Sequence, residues 1–122
     1  MDSGKAKILI VSRDPNLADL RKQVLEAAGY SVLEASSEQA VEEACSNDGI
    51  SLIMLGYSLE PSMKRRVWAA SRRYCDVPIL ELHYGGSPEL VERSVFAHES
   101  QKADDFLHVV EDLLNKTRTS DG

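Results

Sequence analysis

The stretch Ser51-Leu52-Ile53-Met54-Leu55-Gly56-Tyr57-Ser58-Leu59 decides the fold. A short apolar run, rich in Ile, Leu and Met and bounded by Gly49 and Pro61, reads as a strand buried on both faces. Such strands belong to parallel sheets covered by helices. In open α/β sheets the chemistry gathers just past the carboxyl ends of the strands. Here that place is held by Gly56, which brings no side chain.

Working outward from it, the chain alternates strand and helix. Lys7-Ile8-Leu9-Ile10-Val11 is a first buried strand. Asp14 and Pro15 then supply an N-cap and a first helical residue. Leu17, Leu20, Val24, Leu25 and Ala28 predict that helix's buried stripe, with Asp19, Arg21, Lys22 and Glu26 largely off it. Gly29 is placed to end the helix in a left-handed conformation. A second strand covers Ser31 to Ala35. Ser36 and Gln39 have the spacing of a capping box, and Ala40, Val41, Ala44 and Cys45 form the next stripe before Asn47-Asp48-Gly49 breaks it.

The central strand follows, at about 50–55. Pro61 opens a third helix that runs to Tyr74. Met63, Val67, Ala70 and Tyr74 are its predicted inner face, and Lys64, Arg65, Arg66, Arg72 and Arg73 its basic outer face. A fourth strand is predicted over 77–82, a short helix over 88–93, a weaker fifth strand over 94–98 and a last helix over 102–116. Residues 1–6 and 117–122 read as polar tails around a single domain of residues 7–116. Five alternations of this kind predict a three-layer α/β/α domain with right-handed crossovers.

The 122 residues are enough for one proper core. A formal net charge of −6 argues against bulk attraction to nucleic acid or membranes. No apolar run approaches the roughly 18 residues of a membrane span, and the first residues lack the apolar core of a secretory signal. Cys45 and Cys75 match no metal or redox spacing. They are expected to be two separate thiols, kept reduced in the cytoplasm.

In order and local sequence the chain resembles the receiver domain of two-component response regulators. The pieces that carry the resemblance are Lys7 to Val11 with the Asp14-Pro15-Asn16-Leu17 helix start, Leu25-Glu26-Ala27-Ala28-Gly29-Tyr30-Ser31-Val32, Ser51 to Leu59, and Val77-Pro78-Ile79-Leu80. The resemblance implies a flavodoxin-like, five-stranded parallel sheet of order 2-1-3-4-5. It also implies phosphoryl transfer from a histidine kinase onto an Asp that ends strand three. Two acids after strand one help hold Mg²⁺, a Thr or Ser follows strand four, and a Lys follows strand five.

Carried onto this chain, the acceptor position falls on Gly56. The acidic pair falls on Ser12 and Arg13, with Asp14 beside them still acidic. The hydroxyl position is His83, the Lys position is Glu99, and the switch aromatic is Phe96, an aromatic still. The segment between His83 and Glu99 is shorter than the family's, so the fourth helix is expected to be short or partly loop. An acid has become Arg13 and a Lys has become Glu99. An ion pair between them across the former pocket is therefore expected to replace the metal.

These substitutions imply an atypical, pseudo-receiver domain that is not an enzyme, is not phosphorylated and needs no cofactor or metal. Its expected work is protein–protein interaction, with a signalling partner or with itself, through the face of the fourth helix, fifth strand and fifth helix. Three alternatives have less support in the residues. His83, His98, Glu99 and Asp14 share the carboxyl edge and could make a zinc or enzyme site, but no short ligand motif joins them. Ser58 could serve as a substitute acceptor, or a small ligand could enter beside Gly56. The basic third helix could touch nucleic acid, although the remainder of the chain is acidic.

Overall fold

The computed structural model describes residues 6–56, 59–83, 95–99 and 106–121, the side chains of 95–99 and 116–121 excepted. In chain order the elements are β1 (Lys7–Val11), α1 (Pro15–Ala27), β2 (Ser31–Ala35), α2 (Glu38–Asn47), β3 (Leu52–Leu55), α3 (Pro61–Tyr74), β4 (Ile79–His83), β5 (Val95–Glu99) and α4 (Leu107–Asp121). The strands form one parallel sheet of order β2-β1-β3-β4-β5. The predicted short helix at 88–93, and with it the expected shortening of the family's fourth helix, lies outside the described residues. The last helix expected from the sequence corresponds to α4.

Alternation along the strands builds two cores. Leu9, Val11, Ile53, Leu55 and Ile79 pack with Val41 and Ala44 of α2 and Met63, Val67 and Ala70 of α3. Ile8, Ile10, Leu52, Met54, Leu80 and Leu82 pack with Ala18 and Leu25 of α1 and Phe106, Val110, Leu113 and Leu114 on the α4 side. A period of two cannot hide both sets unless both faces are covered.

Local signals set the boundaries. The Asp14 carboxylate accepts from the N–H groups of Asn16 and Leu17, and Pro15 opens α1. At the other end Gly29 (φ 102°) donates to the Glu26 carbonyl and Tyr30 to that of Leu25, the two bonds of a Schellman motif. Three expectations need correcting. The N-cap of α2 is Ser37, whose hydroxyl accepts from the Ala40 N–H, so the Ser36–Gln39 box is not formed. Tyr74 is 42% exposed rather than inward. The helix expected to end at residue 116 continues to Asp121, since no Gly or Pro stops it before Gly122.

A larger correction concerns Cys45 and Cys75, which are bonded to each other. They are 30 residues apart, but α2 and α3 lie side by side on one face of the sheet. The Cα atoms of the last turn of α2 and the C-cap of α3 therefore stand 5.0 Å apart, within disulfide range. The expectation of two reduced thiols fails, and the cytoplasmic assignment loses the support it drew from them. By loop-closure entropy this bridge contributes about 3–4 kcal/mol. Urea unfolding of oxidised protein and of protein held in dithiothreitol should differ by that amount. Coincident midpoints would show that the bridge is absent or idle.

Candidate functional site

The carboxyl edge is built by the ends of β1, β3 and β4. β3 is buried throughout, and Gly56 extends its ladder by donating to the Val11 carbonyl at 2.9 Å. Ser12, 7% exposed, continues β1 by donating its N–H to Ala35. Its hydroxyl accepts from the Asp14 N–H at 3.0 Å and makes a 3.3 Å bond to the Asp14 carbonyl. Ser12 is therefore occupied in shaping the first loop. The Asp14 carboxylate is directed at the N-terminus of α1.

Against Gly56 lies a side chain that the sequence reading set aside. A Cβ on Gly56 would stand 3.1 Å from Nη1 of Arg21, 3.3 Å from Oγ of Ser12 and 3.4 Å from its Cβ. Arg21 is 3% exposed, so α1 is turned to bury Ala18, Arg21 and Leu25. Leu20 is 42% exposed as a result. The predicted stripe was displaced because a guanidinium on a long stem reaches the sheet edge while its methylenes pack like a hydrophobe. Arg13, expected to be the cation of the pocket, is exposed.

The other face of the sheet carries a second buried cation. Nζ of Lys64 bonds Oε2 of Glu81 at 2.8 Å, with side-chain exposures of 4% and 0%. Glu81 is the β4 register partner of Leu55, one residue before Gly56. Lys64 therefore does not belong to the solvated outer face of α3. A sequence signal existed: Glu81 is an acid inside an otherwise apolar strand, and a buried acid needs a cationic partner. The pair ties α3 to β4.

The remaining candidates are placed by backbone alone or in part. His83 ends β4, half-buried, with Glu99 of β5 as its register partner, and His98 and Phe96 stand opposite Leu82 and Leu80. The side chains of Phe96, His98 and Glu99 lie outside the described residues, as does Ser58, so the Arg13–Glu99 pair and the substitute acceptor do too. Among the described residues no three His, Cys, Asp or Glu gather as metal ligands, and no helix is long and apolar enough to cross a membrane. A cleft of about 750 Å³ opens at the β1–β2 end of this edge, between Ser12, Arg13 and Pro15 on one side and Glu34, Ala35 and Ser36 on the other.

No protein-family model matches the chain, and no curated protein does. Solved structures do. The chain is similar to the N-terminal domain of a response regulator/sensory box/GGDEF three-domain protein from Carboxydothermus hydrogenoformans, at 22% identity and a TM-score of 0.77 over 95% of this chain and 99% of that one. It is similar to the signal receiver domain of a putative Luxo repressor protein from Vibrio parahaemolyticus, at 18% identity and 0.76 over 97% and 96%. It is also similar to the chemotaxis response regulator CheY4 of Vibrio cholerae, at 19% identity and 0.74 over 90% and 99%. The fold is thus the CheY-like fold of response-regulator receivers, and these neighbours are signalling modules.

Two outcomes follow from the edge. Replacing Glu81 by Gln strands a buried ammonium and should cost about 3–5 kcal/mol, whereas Lys64→Met with Glu81→Leu should recover most of it. Chemical denaturation of the two variants checks this, and equal losses in the single and the double variant would contradict it. A Gly56→Asp carboxylate should pair with Arg21. A double-mutant cycle with Arg21→Met should then show about 2 kcal/mol of coupling, and zero coupling would place the guanidinium elsewhere.

Proposed function

We propose that this chain is an atypical receiver that takes no phosphoryl group and works by binding protein. One observation carries the reading: the end of the central strand holds a buried Gly56 with the Arg21 guanidinium against it. Glycine offers no nucleophile. Arginine stays cationic at any physiological pH. A divalent ion about 4 Å from it would be repelled by roughly 8 kcal/mol at an effective dielectric constant of 20. The one acid retained in the first loop, Asp14, has Oδ1 engaged in capping α1.

The fold supports the remainder. A receiver without its chemistry keeps the helical surfaces that receivers present to other proteins. Of the face expected from the resemblance, the fourth-helix segment lies outside the described residues and the side chains of β5 do too, so this reading does not rest on it.

Incubation with acetyl phosphate and Mg²⁺, followed by intact-mass measurement, tests the proposal. The expected result is no phosphoryl adduct, in the protein as it stands and in Gly56→Asp, where Arg21 holds the new carboxylate. A phosphoryl adduct on any residue of the unaltered chain would overturn the reading.

A further inference from the structure

We infer that the α2–α3 face is a self-complementary docking surface, and that its partner is a second copy of this chain. The inference rests on the reading of the domain as a binding module and names the surface and the occupant.

The observation is a segregation of charge. α2 carries Glu38, Glu42 and Glu43, and Asp48 caps its end; it has no Lys or Arg. α3 carries Arg65, Arg66, Arg72 and Arg73, all exposed, and has no Asp or Glu. Glu38, Glu43 and Asp48 are exposed as well, and Glu42 is half-buried. Most of the chain is acidic, with a net charge of −6, so an Arg-only helix face departs from the whole. The two helices pack on the same side of the sheet and are bridged by Cys45–Cys75. They make one plate with a negative half and a positive half.

Such a plate fits a copy of itself in one way. Both helices follow parallel strands and run in the same general direction. A two-fold axis lying in the interface, between the helices and along them, sets α2 of each copy on α3 of the other. Both opposite-charge contacts then form at once, as an isologous interface requires. An axis across the helices would set Glu on Glu and Arg on Arg, and the charges select against it. Arg72 already bonds Asp76 at 3.0 Å, so Arg65, Arg66 and Arg73 are the principal cations.

Size and salt set the expected strength. Helices of about 15 and 21 Å, spaced by about 10 Å, present roughly 400 Å² a side, which is in the range of weak, transient pairs. The monopole repulsion of two −6 chains acts over tens of Å and is screened by about 0.1 M salt, whereas contacts at a few Å persist further. Association should therefore peak at moderate salt and fall at high salt.

Sedimentation of the oxidised protein, from micromolar to about millimolar concentration and across a salt series, tests the inference. The expected result is a reversible dimer with a dissociation constant of order 100 μM. Arg65→Glu with Arg66→Glu should weaken it at least tenfold, as should Glu42→Arg with Glu43→Arg. Mixing the two variants should restore a mixed dimer. That rescue needs both variants folded, and a circular-dichroism melt of each verifies it. A monomer at every salt, a dimer indifferent to the reversals, or reversals that mixing does not rescue would each overturn the inference. So would a monomer whose α3 arginines instead bind an acidic protein or DNA. A phosphoryl adduct in the parallel mass experiment would sink the unphosphorylated reading and leave this test standing. Absence of pairing without an adduct would sink only the pairing.

Discussion

Covering both faces of a parallel sheet leaves chemistry only the ends of its strands, and in this chain the central end is closed by charge. Arg21 reaches Gly56 from the α1 side, and Lys64 reaches Glu81 from the α3 side, one residue lower. Both cations belong to the chain itself, and both are buried: Arg21 is 3% exposed and Lys64 3% exposed.

What the sequence disclosed was whatever depended on local rules. Asp14 and Pro15 marked the start of α1 through a cap and a fixed φ, and Gly29 marked its end by taking φ 102°. The apolar runs marked strands because only double-sided burial tolerates them. The strand order came from the resemblance, since no local signal encodes which strands are neighbours. The end of the central strand was legible because Gly56 directly follows the apolar run.

The misses share one cause: long or reactive side chains whose partners are set by tertiary packing. Arg21 was placed off the buried stripe of α1 by polarity. In the fold its methylenes take a core position, and Leu20 turns outward instead. Lys64 was grouped with its arginine neighbours, although the helix phase that buries Met63 and Val67 also turns Lys64 toward Glu81. Cys45 and Cys75 looked unrelated because thirty residues and a strand separate them. Their meeting depends on α2 and α3 lying side by side, which spacing along the chain does not state.

These fastenings bear on whether the domain can switch. A domain that switches moves between two arrangements, and a ligand shifts that balance only through a difference in its affinity for them. In this chain α3 is tied near its start to β4 by Lys64–Glu81 and at its end to α2 by Cys45–Cys75. Moving it would either uncouple a buried ion pair or carry α2 along. On the proposed reading of Arg21 and Gly56, no phosphoryl group arrives to repay that cost. The α2–α3 layer is therefore braced at both ends of α3, and it is also where the charges are sorted by sign. A surface that is always presented suits a partner that is always present, and a second copy of the chain meets that condition without a signal.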